Sequence, residues 1–445
     1  MGLSLCLFAG SVSAQKMGKD ELKSMEKSNV VFKGGFGGVK APGLNLTAEK
    51  LQWWEDAKFG MFIHWGLYAI PATGEWTMFN QKISAEEYAK LAKQFNPQHF
   101  NADKWAEAAK DAGMKYMVMV ARHHDGFAMF NSPASYGHFN AMETAAHQDF
   151  VAQYTAACRK AGLAVGLYYS PMDWRFPGYF DPKGLPENAA LMKQQAYGQV
   201  EELMKNYGRI DILWYDGGWL AHKGSDADAA WFWEPLKLNA MVRRYQPDVA
   251  INPRSGMFGD FQVNEGNAEV KGPIINMPWE KCLNLNGTSW GFTKTQHLMP
   301  FISIVQMLVN VVDRGGNMLL NVGPDADGVI PAAHVARLKE VGNWLNANGE
   351  SIYGTRAGPF QPVDSLYGST HKGRMIYVHL IVSSKQTSTL QLPPITQRVM
   401  SCGVLHGEKI KFKQDSSGIT LNLKPVKTET AVTTLVLKTD GSIGN

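Results

Sequence analysis

Between about residues 100 and 255 one unit recurs: an amphipathic helix, a glycine, then a short strand that is apolar on both faces. In its first copy Trp105, Ala108, Ala109 and Ala112 fall at helical spacing, Gly113 suits a left-handed helix end, and Tyr116–Ala121 is the strand. The second places Val151, Tyr154, Cys158 and Ala161 on one face, then Gly162 and the strand Ala164–Tyr169. The third runs through Ala196, Val200, Leu203 and Tyr207 to Gly208 and the strand Ile210–Tyr215. A fourth helix ends near Tyr245, and Val249–Asn252 follows. A strand apolar on both faces needs cover on both sides, and successive strands joined through helices must run parallel. Lys58–His64 supplies an earlier strand and Asn317–Val322 a late one, so the spacing predicts a (β/α)8 barrel over residues 45–355.

Helical periodicity stops after Ala332–Asn348. From Gly358 onward short β-rich runs take over (Met375–Ile381, Thr387–Leu392, Lys409–Phe412, Ile419–Leu423, Ala431–Leu437), which predicts an antiparallel β-sandwich over 356–445. At the other end, residues 1–14 hold an apolar run followed by Val12, Ser13 and Ala14, which reads as a secretory signal and implies a secreted or periplasmic protein. Cys6 would leave with it, and Cys158, Cys282 and Cys402 lack the spacing of a disulfide framework or metal knuckle. Residues 15–44, rich in Lys, Gly and Ser, read as a mobile arm, Gly34-Gly35-Phe36-Gly37-Gly38 included. A formal net charge of +4 over 445 residues gives no reason to expect nucleic acid or an anionic membrane as partner. No later stretch is apolar for long enough to span a bilayer.

Barrel enzymes gather their reactive groups at the C-terminal ends of the strands. Here those ends carry His64-Trp65-Gly66 with Glu75-Trp76 beyond, then Arg122-His123-His124-Asp125, Tyr168-Tyr169-Ser170, Trp214-Tyr215-Asp216, and Asn252-Pro253-Arg254. Carboxylates among aromatics suit glycoside hydrolysis, in which one carboxylate attacks the anomeric carbon and another protonates the leaving oxygen. Asp216 is a nucleophile candidate, although beside Gly217-Gly218 it reads equally as a turn residue. Glu265, Glu269 and Glu280 all follow the fifth strand, and pattern alone does not choose among them.

The segments Lys58–Gly66, Glu75-Trp76, His123–Phe127, Gly166–Ser170, Trp214–Gly217, Trp279–Cys282, Ser289–Phe292 and Gly315–Pro324 together resemble the α-L-fucosidases of glycoside hydrolase family 29. The resemblance runs in order over about 45–355. It implies a retaining exo-α-L-fucosidase with Asp216 as nucleophile and Glu280, ahead of Glu269 and Glu265, as general acid/base. His64, Glu75, Trp76, His123, His124, Tyr168, Trp214 and Arg254 would hold the sugar, with Trp290 as a wall for its methyl group. It further implies a fucosylated oligosaccharide or glycoconjugate as substrate, and no metal or cofactor. Two other readings compete: a sugar-binding or inactive barrel, and a metal-dependent hydrolase using His64, His123 and His124.

Overall fold

The computed structural model describes Ser28, Val30, Ala41 and residues 43–381, 388–424, 426 and 431–444. The signal segment and most of the arm lie outside the described residues. Eight strands form one parallel sheet: β1 (Phe59–Ile63), β2 (Tyr116–Arg122), β3 (Ala164–Tyr169), β4 (Ile212–Tyr215), β5 (Ala250–Ile251), β6 (Gln262–Glu265), β7 (Trp279–Asn284) and β8 (Gly316–Val322). Their order is β5-β4-β3-β2-β1-β8-β7-β6, so β1 pairs with both β2 and β8 and the sheet curls into the expected barrel. No ladder joins β5 to β6. Asp260 bridges them instead: its amide donates to the Ile251 carbonyl at 2.7 Å, and its carboxylate accepts the Ile251 amide at 2.8 Å. Arg243 holds that carboxylate at 2.7 Å.

Period-two alternation decides what faces the barrel axis. Phe62, Tyr116, Val118, Val120, Tyr168, Ile212, Trp214, Cys282 and Leu319 make one interior cluster. Their neighbours Met61, Ile63, Met117, Met119, Leu167 and Leu213 pack outward in the main core. The crossover helices start and stop where local chemistry dictates. Asn101 accepts the Lys104 amide to open Ala102–Asp111, Asp149 accepts the Ala152 amide to open Phe150–Ala161, and Gly162 ends the latter at φ 73°.

The C-terminal part is antiparallel. Strands β9 (Arg356–Ala357), β10 (Tyr367–Lys372), β11 (Met375–Ile381), β13 (Val399–Val404) and β16 (Val432–Thr439) form one sheet, ordered β13-β16-β11-β10-β9. Strands β12 (Thr389–Leu392), β14 (Phe412–Asp415) and β15 (Gly418–Asn422) form the other, ordered β12-β15-β14. Leu390, Leu392, Ile419 and Leu421 share one apolar core with Ile376, Val378, Leu435 and Leu437. Buried polar contacts tie this unit to the barrel. The His379 ring bonds Asp313 at 2.7 Å and Ser351 at 3.0 Å, and Thr434 donates to Asn348 at 3.1 Å. Among the described residues no helix is long and apolar enough to cross a membrane.

Strands β6, β7, β10 and β13 lie outside the expected strands, β6 and β7 in segments rich in polar residues, and β14 begins three residues beyond the start of the expected Lys409–Phe412.

Candidate active site

At the C-terminal end of the barrel lies a cavity of about 210 Å³, lined by Phe62, His64, Trp76, His123, His124, Tyr168, Trp214, Asp216, Trp219, Arg254, Glu265 and Trp290. That is below the roughly 300–1,000 Å³ of drug-sized pockets and suits a single small ring. Asp216 follows β4 directly. Gly217, at φ 72°, lets the chain turn beneath His124, where a Cβ would come within 2.9 Å of the imidazole.

Three side chains hold the Asp216 carboxylate. The Tyr168 hydroxyl donates to Oδ2 at 2.8 Å, and His124 Nε2 lies 3.7 Å from the same oxygen. Arg254 Nη2 sits 2.7 Å from Oδ1, as an ion contact rather than an aligned hydrogen bond. Arg254 Nη1 donates to Glu265 Oε1 at 3.0 Å, so one guanidinium spans both carboxylates. Asp226 adds a third carboxylate 3.8 Å from Arg254 Nε. Burial pushes Asp216 up to about 6, with the Glu265 charge adding to the rise and Arg254 opposing it. Burial likewise raises Asp226 to about 7. One cation thus faces three carboxylates, two of them buried.

The histidines are neutral, since burial takes His64 down to about 3 and pushes His123 and His124 well below their ordinary range. The tautomer of His64 follows from its neighbour. Asn321 Nδ2 donates to the Trp290 carbonyl at 2.7 Å, so Asn321 Oδ1 is the atom 2.7 Å from His64 Nδ1. That oxygen only accepts, so His64 Nδ1 carries the proton and Nε2 keeps its lone pair for a hydroxyl. His123 Nδ1 is buried without a hydrogen-bond partner. His124 Nδ1 pairs with Ser170 Oγ at 2.7 Å. His64 and His124 thus have separate partners, and among the described residues no group of three or more His, Cys, Asp or Glu is placed to share an ion.

Two of the residues predicted for the site are not on the cavity wall. Glu280 is the second residue of β7, and its neighbour on β6 is Val263; Glu265 lies two residues further along, opposite Cys282. Glu280 is therefore one pleat deeper in the barrel, 1% exposed. Tyr116 Oη lies 2.6 Å from Oε1, Trp214 Nε1 donates to Oε2 at 3.0 Å, and the Cys282 thiol lies 3.8 Å away. Burial among these neutral groups raises its pKa to about 7. Glu280 therefore lies behind the cavity wall, bonded to the Trp214 indole that forms part of it. Glu75 is the other exception. Its Oε2 accepts from Ser289 Oγ at 2.6 Å and from the Trp290 and Gly291 amides at 3.0 and 2.8 Å, clamping the loop that carries Trp290. Glu269 is half-exposed and lies 3.2 Å from Lys271, away from the cavity.

Phe62 and Trp219 line the cavity without having been singled out in the sequence. Phe62 was findable, lying two residues before His64 on the same strand face. Trp219, in the loop after Gly217-Gly218, carries no periodic signal.

Known proteins resemble this chain over the same span. The α-L-fucosidase family matches residues 40–350. Mouse tissue α-L-fucosidase is 32% identical over 335 residues, 68% of this chain and 71% of that protein. Human plasma α-L-fucosidase is 30% identical over 371 residues, 75% and 76% of the two chains. Among solved structures, α-L-fucosidase isoenzyme 1 from Paenibacillus thiaminolyticus shares 34% identity with a TM-score of 0.77, over 88% of this chain and 99% of that one. A family 29 α-L-fucosidase from Bacteroides thetaiotaomicron, trapped as a covalent intermediate with 2-fluoro-fucosyl fluoride in a Glu-to-Gln variant, shares 25% identity with a TM-score of 0.81, over 93% and 100%. With a family match over most of the barrel and relatives at this identity and coverage, the chain belongs to the α-L-fucosidases of glycoside hydrolase family 29.

Proposed function

We propose that the protein removes terminal α-linked L-fucose from glycans with retention, using Asp216 as nucleophile and Glu265 as general acid/base. The observation that carries this reading is the single Arg254 guanidinium in contact with both carboxylates on one wall of a monosaccharide-sized cavity. Retaining glycosidases need two carboxyl groups close together, the second in reach of the leaving oxygen. In the first step Asp216 attacks the anomeric carbon while Glu265 gives its proton to the departing glycosidic oxygen. In the second, Glu265 takes a proton from water, which attacks the same carbon and breaks the ester to Asp216. Arg254 and the Tyr168 hydroxyl keep Asp216 ionised and oriented. His64 Nε2 accepts from a sugar hydroxyl, His123, His124 and Trp76 flank the ring, and Phe62, Trp214 and Trp290 give apolar cover for the methyl. Glu75 and Glu280 act from behind, on Trp290 and Trp214.

The barrel, 45–355, is on this reading the catalytic domain, and 356–445 a β-sandwich packed on it. Residues 1–14 direct secretion, to the exterior or the periplasm. The test is release of 4-nitrophenol from the α-L-fucoside beside the β-D-galactoside, α-D-galactoside and β-D-glucoside, followed by a panel of fucosylated oligosaccharides. Fucoside-specific release, with the first product formed as the α-anomer, is expected. Silence on every fucoside would overturn the proposal.

A further inference from the structure

Beside the cavity mouth three loops bring their aromatic side chains together. Trp76, on the cavity wall after β1, touches Phe79 (5.7 Å between ring centres), Trp174 (5.1 Å) and His222 (5.4 Å). Phe79 in turn lies 5.4 Å from Trp174 and 4.6 Å from His222, and stacks at 12° on Phe180. Phe79 and Phe180 are 39% and 42% exposed. Large apolar rings left in water cost free energy, and scattered singles need no explanation. Here, however, the exposed rings form one surface continuous with the sugar cavity.

The surface is also held rigidly. Trp174 is flanked by Asp173 and Arg175. Asp173 is buried between Arg122 (2.5 Å) and Arg175 (2.7 Å), and the Trp174 amide donates to the His124 carbonyl at 3.0 Å. Trp174 Nε1 donates to His222 Nε2 at 3.2 Å. His222 and Ala221 sit at φ 53° and 52°, a conformation unfavourable for residues with a Cβ. Their amides are tied to the Tyr179 hydroxyl and carbonyl at 3.2 and 3.1 Å. Loops after β1, β3 and β4 thus converge, and the near-parallel Phe79 and Phe180 rings present an exposed apolar face.

We infer that Phe79 and Phe180, backed by Trp174 and His222, form the leaving-group subsite, a shelf on which the pyranose carrying the fucose lays its apolar C–H face. This rests on the fucosidase reading and adds to it the part of the substrate that the 210 Å³ cavity does not hold. Such a shelf is tolerant of the hydroxyl pattern of the second sugar and selects for a ring over a small leaving group.

The experiment compares the wild type with Phe79→Ala and Phe180→Ala on two substrates: the fucosyl disaccharide the wild type cleaves best, and α-L-fucosyl fluoride, whose leaving group has no ring. Each exposed ring is expected to contribute roughly three- to tenfold in kcat/KM on the disaccharide, with the fluoride unchanged within about twofold. Equal losses on both substrates would mean a structural role and overturn the inference. Undiminished disaccharide cleavage would overturn it too, and a fall in oligomeric mass accompanying that result would assign the face to contact between copies of the chain. A wild type that turned over neither substrate would sink the underlying reading, a failure distinct from either of these.

Discussion

Glu265→Gln and Glu280→Gln make the sharpest pair of perturbations, because both delete one carboxyl proton at constant shape and the proposed roles give them opposite consequences. Glu265 lines the cavity and shares Arg254 with Asp216. Its loss removes the proton donor, which for a sugar leaving group is worth roughly 10²–10⁴ in rate, or about 3–5 kcal/mol. An activated aryl fucoside needs little protonation, so its glycosylation step should fall far less. Glu280 behaves differently because a glutamine imitates its protonated form. Trp214 Nε1 can only donate, so the acceptor must remain at Oε2, and the Tyr116 hydroxyl can accept from an amide as well as from an acid proton. Glu280→Gln should therefore cost no more than about 1 kcal/mol, up to roughly fivefold, and equally on both substrates. Steady-state kinetics on a fucosyl disaccharide and on 4-nitrophenyl α-L-fucoside read the outcome. A leaving-group-dependent loss of a hundredfold or more in Glu280→Gln, with Glu265→Gln unimpaired, would refute the assignment and restore the order the resemblance implied.

The Asp216→Ala protein should lose at least ~10³-fold in kcat while melting as the wild type does and still binding fucose, as followed by calorimetry; unimpaired turnover would reject Asp216 as nucleophile. With Asp216 raised to about 6, kcat/KM should fall on the acid side with a midpoint near 6, because protonation removes the nucleophile. Arg254→Ala should push that midpoint upward, and an acid limb near 4 in the wild type would contradict the buried cluster. Glu280, raised to about 7 from 4.5, binds more proton folded than unfolded, so its contribution to stability is complete below about 4.5 and is lost as pH rises through 7. Unfolding measured against pH should show Glu280→Gln gaining on the wild type by about 3 kcal/mol across that window, and a constant difference would show Glu280 to be ionised throughout. Truncation after residue 355 should lower the melting temperature, since Asp313, Ser351 and Asn348 would lose buried partners. An unchanged melting temperature would contradict that.

The barrel was legible because its strongest signal is repetition. The helix–glycine–strand unit gave β2 to β5 within a residue or two at most ends, and Ala164–Tyr169 at both. These strands are uniformly apolar because helices cover one side and the barrel interior the other. The same reasoning explains why β6 and β7 were invisible. Gln262–Glu265 and Trp279–Asn284 bury polar side chains, and Asn264, Glu280 and Lys281 find partners inside the fold, so their sequences read as loop.

That blind spot is also why the second carboxylate could not be placed from the sequence. Whether a glutamate faces the substrate depends on its depth along the strand, and a residue in an unrecognised strand has no depth. Once β6 and β7 are laid side by side, Glu265 ends its strand at the cavity and Glu280 begins the next one a pleat below. Partners then divide the carboxylates as clearly as position does. Glu75 and Glu280 are met by neutral donors (a serine hydroxyl and two amides for one, a phenol, an indole and a thiol for the other), which fix a carboxyl in place without giving it a charge to exchange. Asp216 and Glu265 share a cation. On the proposed mechanism the proton passes between Glu265 and the glycosidic oxygen or water, so Asp216 is ionised while Glu265 holds the proton and Glu265 is ionised while Asp216 is esterified. A guanidinium in contact with both serves each state in turn.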